Sequence, residues 1–219
     1  MSARDEILAR VRGAVAHRAA APEPFEPARR RADFAAFAAQ LGAAGGRALG
    51  PLSAPDAAAR VADLCRSWAP DGRVLASDAA LLQLGSGPWR PIPADVSPHA
   101  LADVSVAILC GALGVAENGA VGLDGREARP RALAVLCERL VLLLESRRLV
   151  PDLHAALAQL PEGALAQPHF TFVAGPSKTA DIEGELVLGA HGARELVVVG
   201  IDDSRAGAPL GYAAHGGEG

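Results

Sequence analysis

The spacing of hydrophobic positions changes near residue 70 of this chain. Before that point, apolar residues recur every three to four positions, which predicts amphipathic helices at residues 2–17, 33–41 and 54–68. Beyond it, short β-branched or leucine-rich runs between turns predict strands at 73–76, 104–110, 119–123, 132–137, 140–145, 170–174 and 196–199. Helical spacing returns at 78–84, 151–160 and about 179–188.

Strands that alternate with helices, together with strands that follow one another directly, predict an α/β fold. We expect layers around a mostly parallel sheet with an antiparallel insertion. Half of the 219 residues are apolar, which is enough to bury one sizeable core. We therefore predict one α/β domain at residues 32–206, preceded by an N-terminal helix and Pro-rich arm at 1–31 and followed by a flexible, glycine-rich tail at 207–219.

Charge and cysteine spacing exclude several classes of function. The net charge is −4, and the basic clusters are too short to follow a phosphate backbone, so no nucleic-acid partner is expected. Cys65, Cys110 and Cys137 lack the paired spacing of zinc or iron–sulfur ligands, and the six histidines form no metal-binding motif. The odd number of cysteines and the lack of an apolar signal or membrane-length segment predict a cytoplasmic protein without a membrane span.

The first candidate for chemistry is the turn Glu117-Asn118-Gly119. An Asn-Gly pair between two apolar runs is typical of a hairpin turn, in which Glu117 would simply be solvated. Glu117 is nevertheless the only charged residue between Asp103 and Asp124. A carboxylate on a tight turn at a strand end is also where a nucleophile or general base is held, and both interpretations stay open.

The second candidate is the segment from Gly175 to Glu183, which contains Ser177, Lys178, Thr179 and Asp181. A strand, a glycine turn and a hydroxyl-rich helix start together predict an anion-binding loop, because the free N–H groups and the positive end of a helix attract phosphate or carboxylate. The alternative is helix capping, for which Ser, Thr and Asp are the preferred residues. Capping needs only one such residue, so we favour a loop that faces a ligand.

The third candidate is His191, which lies between Gly189 and Gly192 at the far end of the predicted helix. A histidine in this position could act as a proton shuttle or as an orienting donor. It could equally stabilise the helix end through the helix dipole.

Two of these segments resemble a known family. Residues 172–183 (Phe-Val-Ala-Gly-Pro-Ser-Lys-Thr-Ala-Asp-Ile-Glu) and 186–192 (Leu-Val-Leu-Gly-Ala-His-Gly) resemble the C-terminal signature of the lactate utilisation protein C family, or LUD domain. Residues 116–123 resemble the acid-turn segment of that family, and the resemblance covers about residues 104–200. The family usually has Thr at the position of Asn118 and Pro at that of Ala193.

The resemblance implies a fold similar to that of the CoA transferases and sugar-phosphate isomerases. It also implies partner subunits that carry iron–sulfur clusters, in a system that oxidises L-lactate to pyruvate. In this interpretation the chain is a cluster-free or accessory subunit whose 177–183 loop binds a small carboxylate or phosphate. The predicted ligand-binding residues are Gly175, Ser177, Lys178, Thr179 and Asn118, and the predicted catalytic residues, expected in the same cleft, are Glu117, His191 and Asp181.

A self-sufficient enzyme is the alternative. Glu117-Asn118-Gly119 resembles the turn on which one class of CoA transferases carries its glutamate nucleophile, which would form a glutamyl thioester. A sugar-phosphate isomerase would instead use Glu117 or Asp181 as its base and Lys178 for the phosphate.

Overall fold

The computed structural model describes residues 2–15, 23, 32–124, 128–160, 170–181 and 184–202. Most of the predicted Pro-rich arm, the whole predicted tail at 207–219 and Glu183 of the predicted anion loop lie outside these residues. The predicted domain boundaries at residues 31 and 206 therefore stay predictions.

Six α-helices are formed by the described residues, most of them close to their predicted positions. The helices are α1 (Ala3–Val15), α2 (Phe34–Ala43), α3 (Ala54–Trp68), α4 (Asp78–Leu84), α5 (Ala128–Leu136) and α6 (Leu153–Gln159). Asp33, Ser53, Ser77 and Asp152 precede α2, α3, α4 and α6, and each side chain accepts a hydrogen bond from a backbone N–H three residues further on. These N-caps explain where the four helices begin.

Twelve strands, several of them only two residues long, are formed by the same part of the chain. They are β1 (Arg47–Leu52), β2 (Arg73–Ala76), β3 (Arg90–Pro91), β4 (Val104–Cys110), β5 (Leu113–Val115), β6 (Ala120–Asp124), β7 (Arg139–Glu145), β8 (Leu149–Val150), β9 (Phe170–Val173), β10 (Lys178–Thr179), β11 (Val187–Leu188) and β12 (Glu195–Ile201).

A six-stranded parallel sheet forms the centre of the fold. Its strand order is β1-β12-β7-β4-β2-β3, and every neighbouring pair is parallel. On β7, Leu140, Leu142 and Leu144 belong to the apolar cluster shared with α2 and α5, whereas Val141 and Leu143 belong to the cluster shared with α3 and α4. The sheet therefore has a helical layer on each face, as the α/β prediction requires.

A second, four-stranded sheet continues from the carboxyl end of β4. Its order is β8-β5-β6-β9, in which β6 runs antiparallel to both β5 and β9. A two-stranded antiparallel hairpin, β10 with β11, makes up the rest of the β-structure among the described residues. The six-stranded sheet confirms the predicted mostly parallel sheet, and these two units supply the predicted antiparallel insertion.

The strand predicted at 132–137 is wrong, because this segment lies in α5 and the residue after it. Leu133 and Cys137 are buried while Val135 and Leu136 are exposed, which is the pattern of a helix with one buried face. A continuous apolar run of this length fits either a buried strand or a helix, so hydrophobicity alone could not separate the two.

The helix predicted at about 179–188 is also wrong. Lys178 pairs with Leu188 and Thr179 with Val187 in the β10–β11 hairpin. Gly184, within the connection, has a φ of 73°, a left-handed conformation that a continuing helix does not use. The helix N-terminus on which the predicted anion loop relied is therefore not formed at this segment.

Burial of the three cysteine thiols should make the free energy of unfolding depend on pH. Cys65 and Cys137 are buried, and burial raises the pKa of Cys65 from 9.0 to about 11 and that of Cys137 to about 12. Burial likewise raises the pKa of Cys110 to about 12. Because the folded-state pKa values lie above the unfolded value, stability that is present below pH 9 is lost as the pH rises through the folded values.

We expect the free energy of unfolding to fall between about pH 9 and pH 11, by up to about 1.4 kcal/mol per pH unit for each buried thiol. Urea unfolding across this range measures it. The chain has a single lysine and a single tyrosine, so few other groups titrate there. A Cys65→Ala, Cys137→Ala double variant should show a flatter slope; an equally steep slope in that variant would exclude these two thiols as the cause.

None of the helices within the described residues combines the length and the apolar character that a membrane crossing requires.

Candidate functional site

The turn that carries Glu117 joins β5 to β6 and is held by its own backbone. The Asn118 Oδ1 accepts a hydrogen bond from the Ala120 N–H at 3.0 Å, and the Gly119 N–H donates to the Val115 carbonyl at 2.9 Å. Gly119 has a φ of 69°, and a Cβ at this position would lie 2.3 Å from the backbone nitrogen of Leu41 in α2. The turn is thus packed tightly against α2.

The half-buried Glu117 points its carboxylate at the start of α6. Its Oε2 accepts a hydrogen bond from the N–H of Leu153, the first residue of that helix, at 3.3 Å. The positive end of a helix favours a negative charge, so this contact holds the carboxylate in one place. The contact supplies a structural role for Glu117 and also fixes the geometry that a reactive carboxylate needs.

The second loop contacts the carboxyl end of α2. Gly175 is buried with a φ of 81°, and a Cβ there would lie 2.4 Å from the carbonyl oxygen of Ala44, which caps α2. Lys178, the only lysine of the chain, donates a hydrogen bond from Nζ to that same carbonyl. An ammonium group at a helix C-terminus is stabilising, and Lys178 Nζ carries two further N–H donors.

Ser177 connects the two halves of the signature region. Its backbone N–H donates to the Ala193 carbonyl at 2.8 Å, and its own carbonyl accepts from the Gly189 N–H at 3.0 Å. Its Oγ accepts a hydrogen bond from the backbone N–H of His191 at 3.3 Å. Ser177 and His191 therefore belong to one local unit, although 14 positions separate them in the sequence.

Thr179 and Asp181 lie at the other end of the hairpin. Thr179 Oγ1 accepts a hydrogen bond from the backbone N–H of Asp181 at 3.3 Å, and the Asp181 side chain is exposed. This bond shapes the turn and leaves the carboxylate facing solvent.

An open cleft of about 630 Å³ lies between the end of α5 and the loop that follows β11. His191 and Arg194 line one side, and Glu138 together with the apolar end of α5 lines the other. Arg194 Nη1 forms a 3.0 Å ion pair with Glu138 across this junction. Neither Glu117 nor Asp181 is among the residues that line the cleft.

The predicted site residues thus fall into two groups at the carboxyl half of α2. The Gly119 turn meets α2 at Leu41, whereas Gly175 and Lys178 meet it at Ala44. The second group is joined to His191 through Ser177, whereas the Glu117 carboxylate accepts a hydrogen bond from the Leu153 N–H at the start of α6. The placement of all these residues in one cleft stays a prediction.

A buried ionic cluster, which was not predicted from the sequence, lies at the carboxyl end of β7. Glu145 is buried, and its Oε2 accepts from Arg147 Nε and from Arg148 Nε, each at 2.9 Å. Arg148 also donates to the carbonyl of Ala112, at 3.1 Å, in the link between β4 and β5. The only signal in the sequence was an acid at the end of a strong strand, followed by a serine and then two arginines.

Within the described ranges, no three His, Cys, Asp or Glu side chains are grouped as metal ligands would be.

Replacing Ser177 by Ala should loosen the loop that contains His191. The variant keeps both backbone hydrogen bonds of residue 177 and removes only the acceptor of the His191 N–H. We expect the His191 amide to exchange with solvent about fivefold faster, since a neutral hydrogen bond contributes about 1 kcal/mol. Hydrogen exchange by NMR measures this.

Thr179→Val is the matched control, because it removes the equivalent hydroxyl contact to the Asp181 N–H and leaves residue 191 untouched. Equal exchange rates at His191 in wild type and Ser177→Ala would show that the hydroxyl does not hold the loop.

Comparison with known proteins supports the resemblance seen in the sequence. Residues 99–201 match the LUD domain family. Lactate utilization protein C of Bacillus pumilus is 36% identical over 93 residues, which are 41% of this chain and 39% of that protein. The Geobacillus kaustophilus protein of the same name is 29% identical over 119 residues, covering 52% of this chain and 50% of its own length. This chain therefore matches about half or less of the length of these relatives.

Two further relatives widen the comparison. An uncharacterized protein of Escherichia coli is 26% identical over 154 residues, which are 64% of this chain and 67% of that protein. The crystal structure of a DUF162 family protein from Deinococcus radiodurans superposes with a TM-score of 0.58 at 17% identity, covering 80% of this chain and 99% of that one. The α/β fold is shared with that structure, and residues 99–201 of this chain are similar to the LUD domain.

Proposed function

We propose that this chain acts in lactate utilisation, as a cluster-free subunit of a system that oxidises L-lactate to pyruvate. The proposal includes a small carboxylate bound at the Ser177-Lys178-Thr179 loop. Its pathway rests on the relatives named lactate utilization protein C. The observation that carries the binding site is the link from Ser177 Oγ to the His191 N–H, which joins the two signature segments beside an open cleft.

The groups around this link suit a small anion. Ser177 Oγ already accepts a hydrogen bond from His191, so the hydroxyl proton can be donated outward. Lys178 supplies a cation, and the exposed His191 and Arg194 line the neighbouring cleft. The Ser177 hydroxyl and the His191 side chain can donate hydrogen bonds, and Lys178 is a nearby cation. Such a set of groups is a usual means of binding a carboxylate.

The oxidation of L-lactate to pyruvate removes two electrons and two protons from the substrate. The proposal assigns the electron acceptor to partner subunits that carry iron–sulfur clusters. It is supported by the packing of the three cysteines, because Cys137 belongs to one apolar cluster, whereas Cys65 and Cys110 pack in the cluster on the opposite face of the sheet.

Isothermal titration of the full chain with L-lactate, pyruvate and inorganic phosphate tests the binding site. We expect a carboxylate to bind, and Lys178→Ala and His191→Ala each to weaken it about tenfold, because a charged hydrogen bond contributes about 1.5–3 kcal/mol. Arg66→Ala is the matched control, since it removes an exposed cation from α3 instead. Binding that is equally strong in all three variants would contradict the proposed site.

Membership of a complex is a separate matter and has its own test. Affinity purification of the tagged chain from its native cells should recover proteins with the visible absorbance of iron–sulfur clusters. Recovery of the chain without any such protein would contradict the subunit role and leave the ligand site to the titration.

A second candidate function is a CoA transferase-like enzyme in which Glu117 is the nucleophile, on a fold related to that of the CoA transferases. The observation in its favour is that the half-buried Glu117 carboxylate is held in place at the start of α6. Attack of this carboxylate on an acyl-CoA would form a mixed anhydride and release the CoA thiolate. The thiolate would then attack the glutamyl carbonyl, giving a glutamyl-CoA thioester and the free acid.

Mass spectrometry of the chain after incubation with acetyl-CoA and borohydride tests this candidate. Borohydride reduces a glutamyl thioester to the alcohol and releases CoA, so a side-chain alcohol at residue 117 that is absent in Glu117→Gln and present in Glu138→Gln would support it. An unmodified wild-type chain would exclude it.

A further inference from the structure

Two carboxylates and two guanidinium groups form an alternating chain of ion pairs where β7 and β12 begin. Arg139 Nε pairs with Glu195 Oε1 at 2.8 Å, and Arg139 Nη1 pairs with Glu138 Oε2 at 3.1 Å. The other oxygen of Glu138, Oε1, pairs with Arg194 Nη1 at 3.0 Å. The carboxylate of Glu138 is therefore shared between two guanidinium groups, with one on each of its oxygens.

The two arginines differ in how firmly they are held. The side chain of Arg139 is 18% exposed, lies over the Trp68 ring and donates a hydrogen bond to the Trp68 carbonyl at 3.3 Å. The side chain of Arg194 is 49% exposed, and among the described residues Glu138 is its only ion-pair partner. Arg194 can therefore exchange Glu138 for another carboxylate, while Glu138 remains paired with Arg139.

Arg194 also belongs to the local unit that contains the proposed ligand loop. Its backbone N–H donates to the Glu138 carbonyl at 2.9 Å, and the carbonyl of the preceding Ala193 accepts from the Ser177 N–H at 2.8 Å. A Cβ on Gly189 would lie 2.9 Å from the Arg194 Cβ, so the two residues are packed closely. Both Glu138 and Arg194 line the cleft. An anion that enters the cleft therefore meets a guanidinium group and a carboxylate that are paired with each other.

We propose that Arg194 binds the carboxylate of the ligand and that Glu138 restricts the ligand to a monoanion. This inference rests on the proposed function, whose anion-binding site it extends to Arg194. The ligand carboxylate takes the place of Glu138 on Arg194, and Glu138 keeps its pair with Arg139. Because the charge of Glu138 stays in the wall of the cleft, it opposes a second negative charge on the ligand. The substrate class is thus a small monocarboxylate, and dianions are disfavoured.

Isothermal titration of the full chain with L-lactate, a monoanion, and with sulfate, a dianion, tests this proposal. We expect the wild type to bind L-lactate more tightly than sulfate. Glu138→Gln removes the competing charge and should tighten L-lactate binding about fivefold, which is the scale of a partly exposed ion pair. The Coulomb energy doubles for a dianion, so sulfate binding should tighten about 25-fold. Arg194→Gln should weaken L-lactate binding about tenfold, because it removes a charged hydrogen bond.

Glu195→Gln is the matched control. It changes the net charge by the same amount at the same end of the sheet, but it removes a partner of Arg139 that does not line the cleft. The affinity for either anion should change less than about twofold, because salt screens charges that are not in contact with the ligand. Glu138→Gln keeps the backbone hydrogen bonds of residue 138 to Val104 and Arg194, and thermal unfolding checks that the variant folds as the wild type does.

The possible failures of this inference and of the proposed function can be told apart. A Glu138→Gln variant that binds L-lactate and sulfate in the wild-type ratio would overturn the role of Glu138. Equal L-lactate binding in the wild type and Arg194→Gln would overturn the role of Arg194. Either result, with L-lactate still bound by the wild type, contradicts this inference alone. If the wild type and Glu138→Gln both bind neither anion, the proposed carboxylate site fails and this inference fails with it.

Discussion

Replacing Gly119 by Ala should lower the free energy of unfolding by about 3 kcal/mol, through two separate effects. A non-glycine residue at a φ of 69° costs about 1–2 kcal/mol. The added methyl group would also lie 2.3 Å from the Leu41 nitrogen and 2.6 Å from its Cα, and these are backbone atoms that cannot rotate away. Crowding of this kind costs about 1–3 kcal/mol.

Urea unfolding and thermal unfolding both measure this effect. In a chain of this length, a loss of about 3 kcal/mol corresponds to a fall in Tm of roughly 6–12 °C. Gly184→Ala is the control that isolates backbone strain, because Gly184 has a φ of 73° and open space around its Cβ position. We expect it to lose only about 1–2 kcal/mol. Equal losses in the two variants would show that the turn is not packed against α2 as described.

The same substitution bears on the candidate site. Gly119 keeps the Glu117 turn close to α2, and α2 also contacts Gly175 and Lys178. If a methyl group forces the turn away from Leu41, Glu117 should lose its contact with the Leu153 N–H as well. A faster hydrogen exchange of the Leu153 amide in Gly119→Ala would report that change directly.

Much of the fold could be predicted because the local signals agreed with one another. Helices α3 and α4 have their predicted bounds, since a serine cap and helical spacing indicate the same start. Strand β1 was missed because it pairs on one side only, has no fully buried residue and contains Gly50-Pro51. None of these features is part of the usual strand pattern.

The relation between Ser177 and His191 could not be derived from the predicted elements. A helix over residues 179–188 would have separated its two ends by roughly 15 Å, at 1.5 Å per residue. The β10–β11 hairpin instead returns the chain, so that Ser177 meets His191. The chemistry of Ser177 and His191 and the family resemblance were enough to identify them as candidates. Their contact was not predicted, because the sequence pattern indicated a helix where the structure has a hairpin.

Replacing Glu145 by Gln should destabilise the chain by about 2–3 kcal/mol, although the two side chains have nearly the same shape. Breaking a buried ion pair costs about 3–5 kcal/mol, because the remaining charge has no partner away from water. Here the side chain of Glu145 is 5% exposed, whereas those of Arg147 and Arg148 are 43% and 19% exposed. The partial access of both arginines to water reduces the expected loss.

The position of this cluster makes its loss matter beyond stability. Glu145 ends β7, and Arg148 bonds both to it and to the Ala112 carbonyl, between β4 and β5. The cluster therefore joins the parallel sheet to the second sheet, which carries the Glu117 turn between β5 and β6. We expect Glu145→Gln to loosen that junction while each sheet keeps its own hydrogen bonds.

Chemical denaturation of four variants (Glu145→Gln, Arg148→Met, their double variant and Glu6→Gln) separates charge from packing. Glu6→Gln breaks an exposed helical pair with Arg10 and should change stability by no more than about 0.5 kcal/mol. A Glu145→Gln, Arg148→Met double variant removes both charges, and it should recover part of the loss seen in Glu145→Gln because no unpaired guanidinium remains from that pair. If Glu145→Gln is as stable as the wild type, the ion pairs contribute nothing and the second sheet is held by its apolar contacts alone. If the loss in the double variant equals the sum of the losses in Glu145→Gln and Arg148→Met, Arg148 matters chiefly for its bond to Ala112 and not for the charge of Glu145.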